Sequence, residues 1–171
     1  MSKPISCGFL ILNSKNEILA CHPTGAAFND GCWNVPKGMR DPADPSDYTT
    51  ALRELEEETN LGPLDIKELF DAGVMPYLKN IDIHLVVYRA KIGESYIFGA
   101  ETEDELMSMV YCKSTFKNDK GYWVQEMDAF TFTSDINMFN KGLRTVIQKI
   151  LDEHGIKLGE RQRKSVQPDQ G

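Results

Sequence analysis

Apolar residues near the start of the chain occur in two short runs that are separated by a polar segment. Residues 5–12 are mostly apolar, residues 14–17 are polar, and residues 18–21 form the second apolar run. Continuous apolar runs of this length, bounded by turn residues, are typical of buried strands. The pattern therefore predicts an N-terminal hairpin, followed by a loop over residues 23–31.

Further apolar segments in the middle of the chain predict strands over residues 66–75 and 81–92. The part at 84–88 reads His-Leu-Val-Val-Tyr and does not alternate between apolar and polar positions. A strand without alternation is expected to be buried on both faces. Beyond it, the acidic residues 101–106 predict a short helix or loop. Residues 107–113 predict a strand, and residues 123–132 predict another strand or a bend.

Near the end of the chain, apolar residues recur at helical spacing and predict a final helix. Ser134 or Asp135 is expected to cap this helix, and Gly155 is expected to end it. Its apolar positions are Ile136, Phe139, Leu143, Val146, Ile147, Ile150 and Leu151. We predict a single domain over residues 1–156 and a polar, disordered tail over residues 157–171. The order of elements favours an α/β fold in which helices cover the faces of a mixed β-sheet.

Another helix is predicted between the second and third strands. Ser46 or Asp47 is a suitable N-cap, and Asn60 and Gly62 are suitable end signals because both tolerate a left-handed backbone. A turn-rich loop precedes the helix, and its own apolar positions at 51, 52 and 55 could pack on a sheet. This helix contains the most informative residues of the chain.

Three glutamates lie on one face of the predicted helix. Glu54, Glu57 and Glu58 are spaced i, i+3 and i+4, so their carboxylates are neighbours. Such a cluster is repulsive unless a cation neutralises it, and ligands that offer only oxygen suit Mg²⁺ or Mn²⁺. A plain solvated face is the alternative interpretation of a glutamate run. The residues around the helix favour the metal site.

Residues 38–61 resemble the signature of the Nudix hydrolases, which reads Gly, five residues, Glu, seven residues, then Arg-Glu-apolar-x-Glu-Glu-x-Gly-apolar. Arg53 begins the second half of that pattern in this chain. Two departures are visible. The gap before Arg53 is one residue longer, with Asp41 or Asp44 in place of the loop glutamate, and Asn60 replaces the second glycine. Asparagine accepts positive φ, so the helix can still end there.

The resemblance implies a Nudix-type α/β/α sandwich and a Mg²⁺- or Mn²⁺-dependent hydrolase of pyrophosphate bonds. The implied substrates are nucleoside diphosphate-linked compounds: dinucleoside polyphosphates, nucleoside triphosphates, nucleotide sugars or RNA 5′ ends. It also implies that the metal is bound by Glu54, Glu57, Glu58 and the backbone carbonyl of Gly38. Arg53 would orient one of the glutamates.

A general base is expected from outside the helix, because family members often recruit a carboxylate from another loop or strand. Glu126 is the first candidate. The acidic group Glu101, Glu103 and Glu105 is the second, and Glu54 itself is the third. Each of the outside residues has an exposed surface position as its alternative interpretation.

Five further residues are candidates for substrate contacts. Lys37 and His22 could bind a phosphate, although a solvated lysine and an ordinary loop histidine are the alternatives. Phe28, Tyr77 and Trp123 could stack on a base, or could belong to the core. No substrate can be chosen from these residues alone.

Composition limits the remaining functions. The net charge of −7 argues against DNA binding, and no run is apolar enough to cross a membrane. No signal peptide is expected, and the four cysteines show no Cys-x-x-Cys spacing. Free buried thiols, a core role for His84, a cytoplasmic location and a monomer or homodimer are expected.

Two other functions are compatible with the predicted fold. A noncatalytic nucleotide-sensing module would be expected to lose the metal carboxylates, whereas this chain keeps all three. An isomerase of isoprenoid diphosphates would need a reactive cysteine and a second glutamate, and nothing supports that role for Cys32. The sequence therefore favours catalysis.

Overall fold

The computed structural model describes residues 3–90 and 102–159, and its elements follow the predicted order. Single 3₁₀ turns lie at Pro63–Asp65 and Ile136–Met138. The strands and helices are β1 (Ile5–Leu12), β2 (Ile18–Pro23), β3 (Lys37–Met39), α1 (Asp47–Thr59), β4 (Ile66–Leu78), β5 (Ile81–Ala90), α2 (Glu103–Met109), β6 (Thr115–Lys117), β7 (Trp123–Gln125), β8 (Met127–Thr133) and α3 (Lys141–His154).

A six-stranded mixed sheet forms the centre of the molecule, with the order β4-β5-β1-β2-β8 and with β3 paired to β1. The β1–β5 pair is parallel, and the other pairs in this sheet are antiparallel. β1 pairs with β5 along one edge, and with β3 and the start of β2 along the other. β6 and β7 form a separate two-stranded sheet.

The two faces of the central sheet carry separate hydrophobic cores. Phe9 of β1 faces α1 and packs with Leu55, whereas Leu10 faces α3 and packs with Ile147. Neighbouring residues of a strand point to opposite faces, so β1 and β5 are buried on both sides. The predicted α/β/α sandwich with a mixed sheet is therefore confirmed.

The strand predicted over residues 107–113 is wrong, because α2 occupies much of that segment. The hydroxyl of Thr102 accepts the backbone N–H of Glu105 at 3.1 Å and caps this helix. Acidic residues fill its first turn, where they complement the helix dipole. Residues 107–109 therefore belong to a helix that begins at this cap, and residues 110–113 form neither a helix nor a strand.

The final helix begins later than predicted. Asp135 caps the short 3₁₀ turn, and Asn140 caps α3 by accepting the N–H of Leu143 at 2.9 Å. The backbone between them stays extended because Trp33 exchanges hydrogen bonds with the segment: its N–H donates to Met138 and its carbonyl accepts from Asn140. Gly155 ends α3 as predicted.

Several predictions fall at the limits of the described chain. The proposed domain boundary after residue 156 and the tail over 157–171 stay predictions, since only 157–159 of the tail are described. Glu101 also lies outside the described residues. Within residues 3–90 and 102–159, no helix is long and apolar enough to cross a bilayer. All four cysteines are free thiols.

Candidate metal centre

The helix that carries the glutamates, α1, has a capping residue at each end. Ser46 accepts the backbone N–H of Thr49 through its hydroxyl at 3.1 Å. At the other end Asn60 has φ 66° and donates its N–H to the carbonyl of Glu56. Asn60 therefore adopts the left-handed backbone that ends the helix, at the position where the family signature has glycine.

Two glycines allow β3 to approach its neighbours closely. A Cβ added to Gly38 would lie 2.0 Å from the carboxylate carbon of Glu54. A Cβ added to Gly8 of β1 would lie 2.4 Å from the carbonyl oxygen of Pro36. Real Cβ atoms are not found at such distances, so the backbone of Gly38 can rest against the Glu54 carboxylate only because the side chain is absent.

Glu58 is the most deeply buried of the three glutamates, with 4% of its surface exposed. Its carboxylate accepts the backbone N–H of Lys37 at 3.2 Å. Burial, followed by the negative charge of Glu54, raises the pKa of Glu58 to about 8. A buried carboxylate of this kind needs a cation nearby to stay ionised at neutral pH.

Glu54 and Glu57 complete the acidic face. Burial, and next the charge of Glu57, raises the pKa of Glu54, while Arg53 opposes the shift. Arg53 donates to Glu54 at 2.8 Å and lies 3.8 Å from Glu57. Glu57 is more exposed than Glu54.

Arg53 also contacts one of the two loop aspartates that could replace the glutamate of the family signature, through its second guanidinium nitrogen. It donates to Asp44 at 2.8 Å, and this hydrogen bond holds the pKa of Asp44 down at about 2. Asp41 instead accepts the N–H of Ala43 and shapes the loop. Of the two aspartates that the sequence left open, Asp44 is therefore the partner of Arg53.

Glu126 lies at the break between β7 and β8. Its carbonyl accepts from Thr24 at 2.9 Å, and its N–H donates to Ser114 at 3.0 Å. Its negative charge is among the causes that raise the pKa of both Glu54 and Glu58. The side chain is therefore within electrostatic range of the cluster.

The second group of candidate bases is placed elsewhere. Glu103 accepts the side-chain amide of Asn13 at 2.9 Å, at the turn between β1 and β2. Glu105 contributes to the first turn of α2. Among the described candidates from outside α1, the geometry favours Glu126.

His22 does not face the solvent as expected for a phosphate ligand. It is completely buried, and its ring nitrogens bond to the carboxylate of Asp128 and to the carbonyl of Ala27. The ring of Phe28 stacks on it at 3.6 Å with an angle of 9° and is itself 65% exposed. We therefore assign His22 to positioning Phe28, which presents its outer face to solvent.

Lys37 and Tyr77 lie against each other. The Lys37 ammonium is 5.1 Å from the centre of the Tyr77 ring. The ring also packs on the core beneath α3, which leaves less of its surface for stacking. Trp123 is highly exposed at the start of β7, three residues before Glu126.

One group of potential metal ligands was not predicted from the sequence. Cys7, Asp47 and His84 each offer a ligand atom, and these atoms lie within 4.8 Å of one another. Cys7 and His84 are opposite each other in the parallel β1–β5 register. The residues lie far apart in the chain and match no spacing motif, so only the strand pairing brings them together.

Comparison with known proteins agrees with this geometry. The family model of the NUDIX domain matches residues 2–125, which is well over half of the chain. An uncharacterised 17.7 kDa protein from the e-segB intergenic region of Enterobacteria phage T4 is 29% identical over 131 residues, covering 75% of this chain and 80% of that protein.

Solved structures show the same fold at low identity. A Caenorhabditis elegans Ap4A hydrolase is 13% identical with a TM-score of 0.57, over 88% of this chain and 95% of that one. An ADP-ribose pyrophosphatase from Streptococcus suis is 14% identical with a TM-score of 0.56, over 90% and 92%. The chain belongs to the Nudix family. Within that family it is a Nudix pyrophosphohydrolase.

Proposed function

We propose that this protein is a Mg²⁺- or Mn²⁺-dependent enzyme whose metal is bound by Glu54, Glu57, Glu58 and the backbone carbonyl of Gly38. The observation that carries the proposal is an excess of negative charge. The charges of three glutamates and Glu126 converge at one end of α1, whereas the nearest guanidinium is already shared with Asp44. A divalent cation is the natural way to balance this arrangement.

The residues fit such an ion by their chemistry. All of the donors are oxygen atoms, which suit Mg²⁺ and Mn²⁺ better than softer metals. Glu58 is buried with a raised pKa, so a cation would stabilise its ionised form. When bound, the ion supplies charge neutralisation on the pyrophosphate and a more acidic water.

The protein groups divide the remaining work. Arg53 holds Glu54, and the N–H of Lys37 holds Glu58, so both carboxylates are oriented before any substrate binds. Glu126 would accept the proton of the water that attacks phosphorus. The ammonium of Lys37 would offset negative charge on a phosphate oxygen. Water attack cleaves one P–O bond and releases two phosphate-bearing products.

The substrate would be a nucleoside diphosphate linked to a second group. The names of the two structural neighbours, an Ap4A hydrolase and an ADP-ribose pyrophosphatase, support adenine compounds of this kind as the first to test. The exposed rings of Phe28 and Trp123 would stack on the base. Dinucleoside polyphosphates, nucleoside triphosphates, nucleotide sugars and RNA 5′ ends form the panel.

Substitution of Glu57 by glutamine tests the metal site directly. We expect Glu57→Gln to lower Mg²⁺-dependent turnover by at least about 100-fold, since loss of a ligand should exceed the effect of losing an outer-shell partner. The fold should be unaffected because this side chain is partly exposed. Turnover is measured on the panel with products identified by mass, and folding by circular dichroism.

Glu56→Gln is the matched control, because Glu56 lies on the same helix turn but pairs with Lys113 at the surface, 3.3 Å away. It should keep turnover within a few-fold of wild type. Wild-type activity in the Glu57 variant, or an equal loss in both variants, would contradict the proposed site.

A further inference from the structure

The group formed by Cys7, Asp47 and His84 lies at the end of α1 opposite to Glu58. Asp47 is the first residue of the helix, and the other two residues are neighbours on adjacent parallel strands. The Nδ1 atom of His84 is 3.3 Å from Oδ2 of Asp47, and the sulfur of Cys7 completes a set in which all ligand atoms are within 4.8 Å. The glutamates make no use of this group.

The imidazole of His84 is arranged in a way that calls for a cation. Its Nε2 bonds to the carboxylate of Asp71 at 2.6 Å, so that nitrogen carries the proton. Its Nδ1 is buried, with the residue only 8% exposed, and has no hydrogen-bond partner. In the neutral ring, Nδ1 then directs a lone pair toward the Asp47 carboxylate. Two acceptors that face each other are unfavourable unless a metal ion, or a proton on Nδ1, lies between them.

Outer partners hold two of the three ligands in place. Asp71 accepts the backbone N–H of Gly73 at 2.8 Å while it binds the far side of the His84 ring. Arg40 donates to Oδ1 of Asp47, which leaves Oδ2 directed at His84. A carboxylate behind a histidine is the usual support of a metal-bound imidazole.

The environment of Cys7 is consistent with the same interpretation. Its side chain is fully buried, and burial, followed by the charge of Asp47, raises the pKa of the thiol to about 11. The protonated thiol is therefore preferred when no cation is present. A bound metal would reverse this preference because a coordinating thiol loses its proton.

We propose that Cys7, Asp47 and His84 form a second metal site that binds Zn²⁺ or a similar transition ion, with a fourth position open to water. Sulfur, nitrogen and oxygen donors together suit Zn²⁺ and not Mg²⁺. Donors about 2.0 Å from a tetrahedral ion lie about 3.3 Å apart. The nitrogen–oxygen separation between His84 and Asp47 already has this value, 3.3 Å.

The site would connect three elements that must stay aligned. One ligand comes from the N-terminus of α1, one from β1 and one from β5. The ion would therefore fix the start of the helix whose other end carries the glutamates. Asp47 is partly exposed, which provides a route for the ion from solvent.

Cobalt binding tests the proposal with a signal that the glutamates cannot produce. The full chain is stripped with a chelator and titrated with Co²⁺, and thiolate-to-cobalt charge-transfer absorption is recorded. We expect saturation at one equivalent, tetrahedral visible bands, and displacement of the signal by Zn²⁺. The oxygen ligands of the glutamate site give no sulfur band, so Glu57→Gln should keep the absorption while losing turnover.

Three variants define the ligands. Cys7→Ser should abolish the charge-transfer band, and Asp47→Asn should weaken Co²⁺ binding at least tenfold. Cys112→Ser removes another buried thiol and should leave the band unchanged. Circular dichroism verifies the fold of each variant, and the partly exposed Asp47 keeps the test valid if the Cys7 variant fails to fold.

Two results would overturn the proposal. The first is the absence of a thiolate band in folded wild-type protein with excess Co²⁺, which would assign the cluster to a protonated His84 held between Asp47 and Asp71. The second is a band that survives in folded Cys7→Ser or is unaffected by Asp47→Asn. Neither result depends on the pyrophosphatase activity.

Discussion

At the scale of single residues, the glutamate site depends on groups that orient each carboxylate separately. Glu58 accepts one backbone N–H, and Glu54 accepts one guanidinium nitrogen while resting on Gly38. Burial makes the charged forms of Glu54 and Glu58 costly, as their raised pKa values indicate. The protein thus holds acidic groups in positions where they favour a cation over water.

Glycine at position 38 should be needed for full activity because it has no side chain. In Gly38→Ala the new methyl group would lie 2.0 Å from the carboxylate carbon of Glu54. This carboxylate ends a flexible side chain, so it can move aside and the fold should persist. We expect kcat/KM to fall by about 100-fold, since a displacement near 1 Å has that effect in active sites.

Gly62→Ala is the control for this change, because Gly62 has no close neighbour and an ordinary φ. Its kcat/KM should stay near wild type. Wild-type kcat/KM in Gly38→Ala would show that the contact between residue 38 and Glu54 has no role in catalysis.

At the scale of elements, α1 is a helix whose ends are completed by other parts of the chain. Tyr111 donates its backbone N–H to the carbonyl of Thr59, and Lys113 and Ser114 donate to the carbonyl of Glu57. The carbonyls at a helix end otherwise lack partners. The segment after α2 therefore stabilises the turn that carries the glutamates of the proposed metal site.

The end of α1 allows a test of the asparagine that replaces glycine. Asn60→Ala should reduce the free energy of unfolding by about 1 kcal/mol, because alanine resists the left-handed backbone at φ 66°. Asn60→Gly removes that strain but also the bond from the Asn60 amide to the carbonyl of Met109, so it should cost less than alanine. Urea denaturation of both variants measures the difference. An equal loss in the two variants, which both lack the amide, would mean that the amide bond and not the backbone conformation explains the residue.

At the scale of the whole molecule, the sheet separates two hydrophobic cores, and only one of them lies beneath the helix that carries the glutamates. The core beneath α1 supports the glutamates, whereas the core beneath α3 has Leu10, Phe139 and Ile147 at its centre. Interiors are closely packed, so a cavity on either side should lower stability. Only a cavity on the α1 side should also disturb the site.

Truncations of equal kind on the two faces should separate stability from activity. Ile147→Ala and Leu55→Ala both remove fully buried side chains and should each cost about 2–5 kcal/mol. At a temperature where both variants are folded, kcat should be unchanged for Ile147→Ala and reduced for Leu55→Ala. Thermal unfolding measures stability, and turnover measures kcat. An equal loss of kcat in the two variants would contradict the claim that only the core beneath α1 supports the site.

Local patterns in the sequence were sufficient for much of the fold. The bounds of β1, the caps of α1 and the layered arrangement follow from apolar runs, cap residues and the order of elements. Residues 107–113 were misjudged because their apolar side chains fit a strand or a helix equally well. The N-cap at Thr102 begins a helix that ends at residue 109. The last helix begins later than predicted because Trp33 is hydrogen-bonded to the backbone that precedes it.

The acidic face of α1 was determined by the sequence alone, because spacing within one helix converts directly into proximity. The tertiary structure decided which distant residues join that face. It selected Asp44 as the partner of Arg53, brought Glu126 near the glutamates, and buried His22 under Phe28. It also set Cys7 opposite His84. Such contacts depend on strand register and loop path, and these come from packing of the whole chain, which no short stretch of residues encodes.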